Sequence, residues 1–227
     1  MMRRIISSLL VVMTLLSLFG CGKKESGGRK YDESVVLENA DALIKSAEVL
    51  NLIYYGSGIK YYNDENTGYY CKADYDHLAE LGFSTIDELK ALTEKTFSDR
   101  YSLQVYSTIL SPLSNDTSVV SPARYYQAYD EETGEATNVM VYSNFTPLLK
   151  SEVIYDYGSL KVEGSKGDKV YVTVEATVKN AEGKTQNTTL KIALVEEHDG
   201  WRIDSPTFEN YKELKDKYDE LKDLDIK

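Results

Sequence analysis

From Val36 onward, apolar side chains fall at Val36, Ala40, Leu43, Ala47, Leu50 and Tyr54, three or four residues apart throughout. That spacing places one stripe on one face of a helix, with Glu38, Asp41 and Lys45 off it. It predicts a long amphipathic helix that frays at Gly56-Ser57-Gly58. Residues 61–68 (YYNDENTG) read as a turn, and residues 69–73 as a short strand. Thr85-Ile86-Asp87-Glu88 has the spacing of a capping box, after which Ile86, Leu89, Leu92 and Phe97 form the buried face of another helix. Ser98-Asp99 reads as a further cap, opening a short helix through Leu110.

Beyond Pro112 the period changes to two. Residues 123–130 and 136–143 flank Glu131-Glu132-Thr133-Gly134-Glu135, a hairpin with glycine at its bend. Residues 152–162 form a third strand, ended by Gly164 and Gly167. Val170, Val172, Val174 and Val178 alternate with Tyr171, Thr173, Glu175 and Lys179, so one face is buried and the other wet. Residues 188–196 repeat the alternation at Leu190, Ile192 and Leu194, and His198-Asp199-Gly200 turns into Trp201-Arg202-Ile203-Asp204. Phe208, Tyr211, Leu214, Tyr218 and Leu221 then line one face of an amphipathic C-terminal helix whose other faces are charged. Helices followed by antiparallel strands predict an α+β fold over residues 31–227, with the helices against one face of a meander and the last helix beginning near residue 207.

The N-terminus carries an address. Arg3 and Arg4 precede an apolar run over residues 5–18, broken only by Ser7, Ser8, Thr14 and Ser17. Its core is short for a permanent span, which is the pattern of an export signal over residues 1–20. The run ends in Leu18-Phe19-Gly20-Cys21-Gly22, which resembles a bacterial lipobox with Phe19 bulkier than the usual occupant. That resemblance implies diacylglyceration of the Cys21 thiol, cleavage before it, and a lipidated N-terminus holding the chain on the outer side of the cell membrane. The competing reading is a secretory signal followed by a chance cysteine. Residues 21–30 then form the lipidated start and a basic tether; residues 22–30 hold four basic side chains and one acidic. The tether either holds an acidic domain near an anionic membrane or is simply a flexible spacer.

The net charge of −11, from 26 basic and 37 acidic side chains, excludes nucleic acid as a partner, because phosphate binding needs clustered positive charge. With Cys21 committed to lipid, Cys71 is left without an intramolecular disulfide partner and reads as a small buried hydrophobe. Two histidines, His77 and His198, and no G-x-S-x-G motif leave little for nucleophilic catalysis. Asp74, Asp76, His77 and Glu80 match neither a zinc helix nor an EF-hand loop, and helix capping by Asp74 or Asp76 is their reading. In Tyr155-Asp156-Tyr157, alternation turns either the carboxylate or both tyrosines inward, never all three. No metal and no cofactor is expected, and the chain reads as a non-enzyme.

Nineteen tyrosines against five phenylalanines and one tryptophan are the unusual feature of the composition. Tyrosine gives large contact area with a polar tip and little rotamer entropy, which suits a binding surface and equally suits a half-wet sheet. Tyr125 and Tyr129 share a strand parity, with Tyr126 opposite, and Asp130, Glu131, Glu132 and Glu135 stand at the bend beside them. These six positions, Tyr126 apart, are the candidate partner-binding site.

The order of elements, closing in an Asp-Gly-Trp turn and Arg-Ile-Asp, resembles the cone-shaped NTF2-like and cystatin-like superfamily. More narrowly, residues 51–61 (NLIYYGSGIKY), residues 69–97 (YYCKADYDHLAELGFSTIDELKALTEKTF) with Thr96-Phe97-Ser98, and the hairpin at residues 128–136 are similar to the IseA-like DL-endopeptidase inhibitors. The resemblance covers roughly residues 35–204; the lipobox and the helix after Pro206 depart from it. It implies a curved sheet under N-terminal helices and, as partner, a cell-wall hydrolase whose substrate groove is blocked. The alternative it leaves is a carrier of a small apolar ligand in an NTF2-like pocket. Neither the oligomeric state nor the individual partner follows from the residues.

Substituting Cys21→Ser removes the thiol the lipobox uses, so labelling with a fatty-acid analogue should disappear and membrane retention should fall to what the apolar run alone supports. Equal labelling of native and variant chains would overturn the lipoprotein reading.

Overall fold

Asp32 starts the first helix by accepting from the Ser34 N–H at 2.9 Å and the Val35 N–H at 3.4 Å. In this computed structural model, which describes residues 30–67, 69–110, 123–147, 149, 152–179, 183–197 and 200–208, helix α1 then runs Glu33–Tyr54. The expected export signal, Cys21, the tether before residue 30, His198 and the helix beyond residue 208 lie outside the described residues. Val36, Ala40, Ala47, Leu50 and Tyr54 are buried as the spacing predicts, and Ile44 takes the core position expected of Leu43, which is half-buried. Among the described residues no helix is long and apolar enough to cross a membrane.

The segment expected as a turn is a strand. Strand β1 (Tyr61–Thr67) pairs antiparallel with β2 (Tyr70–Ala73), Tyr61 opposite Ala73 and Thr67 opposite Tyr70. Turn-forming Asn and Asp misled the reading because an edge strand needs only backbone pairing on one side and tolerates polar side chains. Asp74 caps α2 (Tyr75–Leu81), the Thr85/Glu88 capping box opens α3 (Ile86–Thr96), and Ser98 caps α4 (Asp99–Ile109), all as the sequence predicts.

Strands β3 (Tyr125–Tyr129) and β4 (Ala136–Tyr142) form the expected hairpin. It does not continue into the later strands. β5 (Glu152–Lys166), β6 (Lys169–Lys179), β7 (Thr185–Glu197) and β8 (Gly200–Ile203) make a separate four-stranded antiparallel meander, whereas the first sheet has the order β1-β2-β4-β3. The single meander of the sequence reading is thus corrected to two sheets. The cause is a pairing across three helices, Tyr70 to Tyr142 and Cys71 to Val141, which no local pattern encodes. The fold is α+β, with α1 packed on β5 and β8. Val36, Ala40, Ile44 and Ala47 of α1 share one apolar core with Val170, Val172, Val174, Ile192 and Leu194 of the meander, and none of these nine has accessible surface.

Two polar junctions fix the layers. At the end of α4 nearest the meander, Ser98 N–H donates to the Ile203 carbonyl at 2.8 Å, and its hydroxyl donates to Asp204 Oδ1 at 2.5 Å. The buried Asp204 carboxylate also takes Arg100 Nη2 at 2.9 Å and the Lys169 ammonium. Burial acts to raise this carboxyl, but the hydrogen bonds from Arg100, Lys169 and Ser98 outweigh it and hold it below the ordinary value. At the C-terminal end of α1, the buried Arg124 donates Nη1 to the Tyr54 carbonyl at 2.7 Å and Nη2 to the Gly56 carbonyl at 2.8 Å. Tyr125 Oη donates to the Ile53 carbonyl at 2.7 Å and accepts from the Ile59 N–H at 3.2 Å.

This second junction generates a stability prediction. Arg124→Met leaves two buried carbonyls without their donor, and at about 1–3 kcal/mol for each unpaired group it should lower the unfolding free energy by about 2–6 kcal/mol. Gly58 sits at φ +78°, where an added Cβ would lie 2.2 Å from Arg124 Nη2 and 2.6 Å from Tyr125 Oη. Gly58→Ala should therefore cost more than the roughly 1–2 kcal/mol of a left-handed backbone alone. Urea unfolding measures both, with the exposed Tyr129→Phe as control; shifts no larger than the control's would refute the clamp.

Candidate functional site

Alternation along the first sheet sorts its side chains onto two faces. Cys71, Ala73, Tyr125, Val139 and Val141 are buried on the helix side. On the opposite side stand Tyr70, Lys72, Tyr126, Met140 and Tyr142, in register across β2, β4 and β3: Tyr70 faces Tyr142, while Lys72 and Tyr126 both face Met140. The rings touch. Tyr70 meets Tyr126 edge-on with centroids 4.7 Å apart and lies 5.5 Å from Tyr142, which in turn is 6.4 Å from Tyr69. Tyr62 and Tyr75 continue the aromatic surface, 6.3 Å apart, and the Tyr75 hydroxyl is hydrogen-bonded to Asn138.

This face is open to solvent at its rim and held at its centre. Tyr69 is 68% and Tyr126 39% exposed, whereas the Tyr70 hydroxyl is anchored on the Ala123 carbonyl at 2.7 Å. Burial, followed by the neighbouring phenols of Tyr126 and Tyr142, pushes Tyr70 up to about 12, so it is a neutral hydrogen-bond donor across the physiological range. A platform of rings in mutual contact, with its central member pinned, presents apolar area with little side-chain entropy left to lose on binding.

The sequence-predicted site is only partly assembled. Glu131, Glu132 and Glu135 are exposed at the hairpin tip as expected. Asp130 is exposed too, but its carboxylate accepts from the N–H groups of Glu132 and Thr133 and from the Thr133 hydroxyl, so it builds the bend. Those bonds, the Thr133 N–H first, hold Asp130 below its ordinary value. Tyr125 must be corrected. It is 1% exposed in the clamp on α1, while Tyr129, 58% exposed, lies past a register slip between Gln127 and Tyr129. Shared parity fails as a guide here because the helices cover only one end of the hairpin. Tyr126, which parity set apart, is the residue that joins the aromatic face. The doublets Tyr61-Tyr62 and Tyr69-Tyr70 were the available signal for that face; their pairing with the hairpin was not.

The remaining candidates make contacts within the fold. Asp74 accepts from the Asp76 and His77 N–H groups, and His77 Nδ1 accepts from the Lys60 N–H at 2.9 Å. Among the described residues no group of three His, Cys, Asp or Glu side chains is placed to hold a metal ion. Tyr155 turns inward and is buried, Tyr157 is half-buried and donates to Glu48 at 2.5 Å, and Asp156 points out and accepts from the Gly158 N–H at 3.1 Å. Cys71 is buried.

His77 yields a pH prediction. Burial lowers its pKa first, the Lys60 charge adds to that, and Glu80 and Asp74 oppose it. The folded value therefore lies below the unfolded one, so the contribution to stability is full above the ordinary 6.5 and is lost as pH falls through the folded value. Native protein should lose more of its thermal-unfolding midpoint than His77→Gln between about pH 7.5 and pH 5, the range in which imidazole titrates. Parallel pH profiles would show that the Lys60–His77 contact carries no such linkage.

Compared with known families and with curated proteins, the chain matches no family model and no curated protein.

Proposed function

We propose that this chain is a non-enzymatic binding module, displayed outside the cell membrane on a lipidated Cys21, whose tyrosine face and acidic hairpin tip dock a basic protein surface. The observation that carries the reading is the placement of Tyr70, Tyr126 and Tyr142 in ring contact on the side of the first sheet away from the helices, with Tyr69 against Tyr142. Glu131, Glu132 and Glu135 extend from the same hairpin, where they would steer a cationic partner without being needed for folding. A cell-wall DL-endopeptidase, blocked at its substrate groove, is the partner in keeping with the IseA-like resemblance. The NTF2-like or cystatin-like curvature of the sheet and a closing C-terminal helix belong to the same proposal. A carrier of a small apolar ligand, the alternative, would need an opening between α1 and the meander.

Binding kinetics of the detergent-solubilised chain with a purified DL-endopeptidase test the reading. Tyr126→Ala and Tyr69→Ala should speed dissociation about tenfold or more, as aromatic anchors do. Glu131→Gln, Glu132→Gln and Glu135→Gln should mainly slow association, and more so at low salt. Asp130→Asn belongs outside this set because it loosens the bend. Absence of both binding and inhibition would remove the endopeptidase; binding with unchanged rates in every variant would move the site off this face.

A further inference from the structure

The tyrosine face of the first sheet is furrowed. The Tyr70 ring stands at 80° to that of Tyr126 and at 51° to that of Tyr142, and Tyr142 stands at 62° to Tyr69. Rings at these angles leave ridges with gaps between them, not one flat plate on which a sugar ring would stack. Tyr69 and Tyr126 are exposed, and the buried Met140 is the floor between Lys72 and Tyr126. The Tyr70 hydroxyl is held by the Ala123 carbonyl. Among the described residues, the hydroxyls of Tyr69, Tyr126 and Tyr142 hold no hydrogen bond. Along β4 the face runs from Tyr142 through Met140 to Ala136, beyond which lie Glu135, Glu132 and Glu131 at the exposed tip.

Resting on the reading that this face docks a basic protein, we infer that the part it takes is a proline-rich segment in the polyproline II conformation, with Lys or Arg beyond its prolines. A polyproline II helix is three-sided, and its proline rings seat between tilted aromatic rings. It has no internal hydrogen bonds, so its carbonyls point outward and accept from phenols such as those of Tyr69, Tyr126 and Tyr142. Proline also fixes the backbone in advance, which keeps the entropy cost of docking low on both sides. Charge gives the segment its register. Lys72 stands among the rings and disfavours a cation there, whereas Glu131, Glu132 and Glu135 attract one at the tip. From Met140 to Glu135 is about five residues of strand, roughly 17 Å. At about 3.1 Å per residue of polyproline II, the cation falls about five or six residues beyond the proline that meets Tyr126.

Fluorescence anisotropy of labelled synthetic peptides with the full chain in detergent tests this. The probe is a run of about ten prolines with Arg-Arg at each end, compared with a Gly-Ser run of the same length and charge. The proline peptide should bind about tenfold or more tighter. Tyr126→Ala should weaken it about tenfold or more, and Tyr126→Phe, which keeps the ring and loses the donor, about threefold to tenfold. Glu131→Gln, Glu132→Gln and Glu135→Gln together should weaken it too, and more so at low salt. Ile154→Ala, exposed on β5, should change nothing. Urea unfolding of Tyr126→Ala separates a lost contact from a lost fold. Equal binding of the two peptides, or proline binding indifferent to Tyr126, would overturn the inference. If the DL-endopeptidase binds through Tyr126 while the proline peptide neither binds nor competes, the docking reading stands and this inference falls. If soluble glycan strands bind through Tyr126 in place of the peptide, the furrows belong to carbohydrate and the inference also falls. If the proline peptide binds through Tyr126 and the endopeptidase does not, the inference holds and the endopeptidase is removed as partner.

Discussion

Everything in the first sheet hangs on how the C-terminal end of α1 is satisfied. The last carbonyls of a helix have no intrahelical donors, and here they are buried. Arg124, just before β3, and Tyr125, its first residue, supply them: a guanidinium for Tyr54 and Gly56, and a phenol for Ile53 that also accepts from Ile59. The Arg124 guanidinium lies 3.9 Å from the Phe145 ring centroid, so carbonyls and a ring face share its charge. Because two neighbouring residues at the start of β3 hold one helix end, the position of β3, and through it β4 and β2, is set by α1. Gly58 is required where the guanidinium fork passes, since no side chain fits there.

The second sheet is joined differently. Its apolar face against α1 supplies the non-directional part of the packing, and Asp204 supplies the direction. A buried carboxylate is costly unless every oxygen is partnered, and Ser98, Arg100 and Lys169 partner this one from the cap of α4 and the start of β6. The cap of one helix thus doubles as the end-stop of the meander. Both sheets are tied to the helices from their inner sides, and on the outer face of the first sheet Tyr126 is exposed while Met140 is buried.

The proposed recognition role of the tyrosine face rests on how its rings are held. Tyr70 is fixed through its hydroxyl while its ring supports Tyr126 and Tyr142, so the exposed rings rest on a rigid member. The acidic tip is separate from it in role. Asp130 builds the bend, and the neighbouring glutamates carry charge that the fold does not use.

Local order was legible from the residues alone: the stripe of α1, the Thr85/Glu88 box, the Ser98 and Asp74 caps, the Gly134 bend and the alternating valines of β6 all depend on neighbours within a few positions. So was the shared face of Tyr155 and Tyr157, a matter of strand parity. The division into two sheets was not, because it rests on the pairing of β2 with β4 across three helices. Nor was β1, whose polar residues owe their strand state to one neighbouring backbone. Tyr125 and Tyr126 show the limit most plainly. Parity told them apart, but only the helix packed on one end of the hairpin decided that Tyr125 is core and Tyr126 surface, since burial belongs to the layer above a strand and not to the strand itself.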